Sequence, residues 1–216
     1  MDRKYVLEKL RKKKLADPNF IAFGAQQHQY KLRNPIDPRQ LLKLEKQFKI
    51  NLPKEHRQFL LNVGDGGAGP SYGLYSLKGA LTGKDPIYKK YDGFYWDDGQ
   101  PDKVFAKPTH IFDESSNGNG ILILCQHGCA NDDYLVINGE ERGFVWHFVD
   151  WAGFIPCVKN PPEFVSRKSK TIEDADRIRN KWAKILIGVQ PKEKMTFVEW
   201  YSQWLNSPPE SNWFNN

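Results

Sequence analysis

A chain of 216 residues, 39% hydrophobic and 13% aromatic, is sized for one domain with short additions, at roughly 100–200 residues per domain. With 27% charged residues, no apolar run near the ~18 residues that span a bilayer and an odd count of 3 Cys, it is neither an integral membrane protein nor a disulfide scaffold. The formal charge of +6 is uneven: residues 1–60 carry 15 Lys/Arg against 6 Asp/Glu, residues 61–150 carry 7 against 13, and residues 151–216 carry 10 against 7, so the middle is acidic and a polycation wrapped on nucleic acid is not expected.

The opening MDRKYVLEKLRKKKL lacks the apolar segment and cleavage site of a secretory signal, so a cytoplasmic location is expected. Tyr5, Val6 and Leu10 predict a helix over 2–15, stopped at Asp17-Pro18 because a residue before proline avoids the helical region. The basic run Arg11 to Lys14 reads as its solvated face. Asp37-Pro38 starts a second helix carrying Leu41, Leu44 and Phe48. Leu52-Pro53 opens a third with His56, Phe59, Leu60 and Val63, expected to end at a left-handed Gly64 and to run into a glycine loop through Pro70. Short apolar runs then predict strands at 72–77, 121–124, 135–137 and 144–149, with Asn138-Gly139 turning the last two into a hairpin. Thr171 with Asp174 starts a further helix bearing Ala175, Ile178, Trp182, Ile185 and Leu186, ending at Gly188. Thr196 and Glu199 spell a capping box for a closing helix with Phe197, Trp200, Tyr201, Trp204 and Leu205 inward, and the tail from 207 to 216 has no periodicity. Helices, a largely antiparallel meander, then helices give an α+β class, one sheet with helices packed on a face.

Several residue groups suggest chemistry. Cys125, His127 and Cys129 fall within five residues, with His147 and Cys157 further on, and thiolate and imidazole are what zinc prefers. A second tight pair is missing, so no metal and no cofactor is expected, only small buried thiols and a histidine bonded to backbone. The loop from Gly64 to Pro70 lacks the Gly-Lys-Ser/Thr ending of a phosphate loop and follows a helix, so it reads as a turn. Pairing Cys125 or Cys129 with His147 would still need an oxyanion site, and no catalytic residue is expected. The acidic, aromatic segments are the stronger candidate: Tyr91, Phe94, Tyr95, Trp96, Asp97, Asp98 and Asp102, then Asp132, Asp133, Glu140 and Glu141. Carboxylates at loop tips keep a sheet edge soluble. The same residues also suit a protein-binding surface, with aromatic anchors and charges that steer a basic partner.

Leu52-Pro53 leading into Phe59-Leu60, the loop Gly64 to Pro70 followed by Tyr72 to Leu77, the segment Ile123 to Cys129, the hairpin Leu135 to Trp146 and the closing Phe197-Val198-Glu199-Trp200 together resemble the SUKH superfamily, the family of the yeast Smi/Knr cell-wall regulator and of many bacterial immunity proteins. The resemblance covers roughly 36–151 and 196–206, in the family's order. It implies an α+β fold with a mixed, largely antiparallel sheet, no enzymatic activity in the immunity members, and tight binding of a cognate toxin domain, a basic nuclease being one such partner. A regulatory scaffold of the cell-wall type is the alternative. Nucleic acid and membrane are not expected as partners. On this reading residues 1–35 are a helical extension, 36–206 a single domain with a helical segment inserted at about 152–195, and 207–216 a flexible tail.

Overall fold

The computed structural model describes residues 1–82, 120–128, 131–149, 153–159 and 191–209. Helix α1 (Arg3–Ala16) is capped by the Asp2 side chain, which accepts from the Tyr5 N–H, and it buries Val6, Leu10 and Lys13. A short α2 (Ala25–His28) follows, then α3 (Pro38–Gln47), whose Asp37 side chain accepts from the N–H groups of Arg39 and Gln40 while Pro38 fills the first turn. Helix α4 (Lys54–Asn62) buries His56, Phe59 and Leu60. The predicted second and third helices are thus present, but Gly64 does not take the left-handed conformation expected of it. Glycine is needed there for space: a Cβ would lie 2.6 Å from Leu32 Cγ and 2.8 Å from Arg33 O.

The predicted strand 72–77 is not formed as a strand. Gly73, at φ +96°, breaks the extended run, and Leu74 makes only an isolated bridge to Gly67. The segment nevertheless lies along the sheet, since the Tyr75 N–H donates to Leu124 O at 2.9 Å, before a helix α5 (Leu77–Thr82) that Asp65 caps through the Leu77 N–H. Strands β1 (Ile121–Gly128), β2 (Asn131–Val136), β3 (Val145–Val149) and β4 (Gly153–Pro156) form a four-stranded sheet in the order β1-β2-β3-β4. Every pairing in it is antiparallel, so the parallel part of a mixed sheet has no counterpart among the described residues. Strands β1 and β2 run further than predicted, and the β2–β3 connection contains Asn138-Gly139, with Gly139 at φ +69°.

After a single 3-10 turn at Pro191–Glu193, helix α6 (Phe197–Asn206) closes the fold with the predicted capping box present in both halves. Phe197, Trp200, Tyr201, Trp204 and Leu205 are all buried, as the spacing predicts. Phe59 of α4 packs edge-on against Phe197 and Tyr201, each at 5.0 Å, and the Tyr201 hydroxyl donates to Ala68 O. One hydrophobic core takes in Val6 and Leu10 of α1, Leu41 and Leu44 of α3, Leu122 and Leu124 of β1, Leu135 of β2, Val145 of β3 and the inner face of α6. The N-terminal segment expected as an extension therefore shares the core of the domain. The predicted helix at 171–188 lies outside the described residues, and no described helix is long and apolar enough to cross a membrane.

Candidate functional site

The inner face of a strand normally takes every second residue. Leu122 and Leu124 follow that rule on β1 and enter the main core, while Ile123 packs in a separate cluster with Tyr75. A register shift between Ile123 and Cys125 places two β1 residues against one on β2, the mark of a β-bulge. Its effect is to change the phase of the strand, so that Cys125, next after Leu124, also joins the main core. Cys125 pairs across the sheet with Asp133, and Asp133 pairs with His147 on β3. The row Cys125, Asp133, His147, with His127 two residues along, is thereby gathered beneath Trp200 of α6.

Asp133 is the hub. Only 1% exposed, its carboxylate lies 2.9 Å from His127 Nε2 and 2.6 Å from His147 Nδ1, and it accepts from Trp200 Nε1 at 3.0 Å and from the Cys125 thiol at 3.7 Å. Burial alone would push this carboxyl up, but His127 and His147 beside it more than reverse that and keep it well below the usual carboxylate range. Burial pushes the His127 imidazole down and the Cys125 thiol well up, which favours the uncharged form of each. On its other side His127 Nδ1 lies 2.6 Å from Ser71 Oγ.

Ser71, His127 and Asp133 thus form a hydrogen-bonded chain. The spelling Gly69-Pro70-Ser71-Tyr72-Gly73 is that of a nucleophile elbow and was the signal from which Ser71 could have been singled out. The geometry does not make it one. Ser71 is 8% exposed, and the Tyr72 N–H, the donor an elbow would aim at an oxyanion, is engaged with Gln126 O. The chain ties the glycine loop to the sheet.

The expected partner surface falls out differently. Asp133, expected on it, is a correction: the strand alternation turns it inward to the donors just named. Asp132 is half-buried, accepts from the Tyr134 hydroxyl at 3.2 Å, and is pushed by burial up to about 6. Glu141 is half-buried and paired with Lys194 at 2.6 Å, and Glu140 is exposed. Tyr91, Phe94, Tyr95, Trp96, Asp97, Asp98 and Asp102 lie outside the described residues, as does Cys129. Residues 35–173 match the family model described as SMI1 / KNR4 family (SUKH-1), which is more than half of the chain and stops short of α6. No curated protein and no solved structure matches.

Proposed function

Because the chain belongs to the SMI1 / KNR4 family (SUKH-1), we propose that it is an immunity protein, acting in the cytoplasm by binding a cognate toxin domain and covering its active surface without chemistry of its own. The family match over 35–173 carries this reading. Two further features support it. The titratable cluster of the fold is turned inward and hydrogen-bonded, and the residues 61–150 that hold the glycine loop and strands β1 to β3 carry 7 Lys/Arg against 13 Asp/Glu. Net negative charge in this segment would steer a cationic partner, and domains that cut nucleic acid are cationic where they hold phosphates. Occlusion needs slow release, which an interface of roughly 1,600 Å² supplies when aromatic anchors fill pockets.

Co-expression with a candidate cognate toxin domain tests the proposal. Relief of growth arrest and co-purification of the pair are expected, whereas arrest that persists with no co-purification rejects it. Replacing Trp96, Asp97 and Asp98 together is expected to weaken the complex at least tenfold in a binding titration while leaving the thermal midpoint in place. An unchanged affinity would move the interface elsewhere.

A further inference from the structure

We propose that Cys125, His127 and Asp133 form a buried divalent-metal site of the zinc class, with Cys125 Sγ, His127 Nε2 and Asp133 Oδ2 as the protein ligands. Their donor atoms all lie within 4.8 Å of one another, and all three residues are buried. A thiolate, an imidazole and a carboxylate are the donors a borderline-soft ion selects.

The separations fit an ion. Cys125 Sγ is 3.5 Å from His127 Nε2 and 3.7 Å from Asp133 Oδ2, and Nε2 to Oδ2 is 2.9 Å. Bonds of ~2.3 Å to sulfur and ~2.0–2.1 Å to nitrogen and oxygen, in tetrahedral array, put such atoms about 3.3–3.6 Å apart. Seating the ion therefore widens the His127–Asp133 edge by about 0.4 Å and leaves the other two nearly as they are.

The surroundings are those of ligands already aimed. Imidazole ligands are oriented by a partner on the second ring nitrogen, and carboxylate ligands by donors to the second oxygen. Here Ser71 Oγ lies 2.6 Å from His127 Nδ1 and His147 Nδ1 lies 2.6 Å from Asp133 Oδ1, while Trp200 Nε1 adds a bond at 3.0 Å to Oδ2, an atom with lone pairs for both donor and ion. With a proton on Nδ1 donated to Ser71, Nε2 offers its lone pair. One thiolate and one carboxylate then cancel the charge of a divalent ion in a buried site, with a water completing the tetrahedron. On binding, the Cys125 thiol proton leaves to solvent, about one per ion, and the neutral His127 only changes tautomer. The β-bulge before Cys125 supports the same reading, because bulges recur where a side chain must be re-aimed at a site.

The test uses the full chain. Elemental analysis of protein purified without chelator is expected to find about one zinc per chain, and refolding with Co²⁺ to give a sulfur-to-cobalt charge-transfer band with release of about one proton per ion. The band is expected to vanish in Cys125→Ala and to fall at least tenfold in apparent affinity in His127→Gln. Should either variant fail to fold, the wild type decides. A natively folded wild-type chain holding less than about a tenth of an equivalent of Zn²⁺ or Co²⁺ overturns the site, as does a cobalt–thiolate band that survives in a folded Cys125→Ala.

Discussion

His56 and His28 show what burial does to a single titratable group. The His56 ring packs 4.6 Å from Phe197, its Nδ1 has no hydrogen-bond partner among the described residues, and burial pushes it down to about 3. His28 lies edge-on to Tyr30 and Trp204, its Nδ1 accepts the Tyr30 N–H at 3.0 Å, and burial, with a smaller push from Lys13, takes it down to about 4. An unfolded histidine titrates near 6.5. Between that pH and about 4 the unfolded chain therefore binds protons that the native state refuses, so stability falls as pH falls and is restored above 6.5. Urea unfolding from pH 7 to 5 is expected to show this loss. In His56→Phe the slope should be shallower by about 1 kcal/mol per pH unit averaged over that window, approaching about 1.4 at pH 5, whatever the absolute stability. An identical slope would mean that His56 takes its proton freely in the folded protein. At this scale the sequence was a partial guide. His56 on the inner stripe of a helix was legible, whereas Asp133 was read as a surface carboxylate because adjacent aspartates in a polar stretch carry no sign of the histidines and tryptophan that meet one of them.

Helices were more legible than strands because their signals are local. Thr196 accepts the Glu199 N–H at 3.5 Å, and Glu199 reaches back to the Thr196 N–H at 3.0 Å, four residues holding all the information. Thr196→Ala is expected to cost about 1 kcal/mol and to lower the melting midpoint by roughly 2–4 °C in calorimetry. No shift would place the start of α6 under tertiary control alone. Residues 72–77 had the apolar content of a strand, but the loop before them packs so tightly that its backbone follows other demands. A Cβ on Gly73, at φ +96°, would lie 2.4 Å from Gly67 O. The reverse error occurred at β1, where the apolar run was read as a strand over 121–124 only. The strand continues to Gly128, because Asp133, Asp132 and Asn131 pair with Cys125, Gln126 and Gly128 across the sheet, a contact that no local signal records.

For the molecule as a whole, the N-terminal helix is part of the core. Val6 and Leu10 are 0% and 2% exposed, Lys13 donates to Ser207 O at 2.6 Å and stands 4.8 Å over the Trp204 ring, and the Arg3 guanidinium donates to Val63 O. Its charge pattern gave a thin apolar stripe and a basic run, which suit an appendage equally well. Removing residues 1–16 takes Val6 and Leu10 out of the core and uncovers the part of α6 that α1 contacts, and losing buried Leu-sized groups costs about 2–5 kcal/mol each. The truncated chain is expected to unfold at a clearly lower temperature or without a cooperative transition. A midpoint equal to that of the full chain would return α1 to the status of an addition.

The α+β class, the N-caps of α3 and α6 and the inner faces of α3, α4 and α6 were settled by the sequence, because periodicity and capping depend on neighbours within about a turn of chain. The buried hub was decided by tertiary structure. Cys125, His127, Asp133, His147, Ser71 and Trp200 come from separate strands, a loop and a helix, and a one-residue bulge selects which of them face inward. No spacing along the chain encodes that choice, since it exists only once the strands have paired.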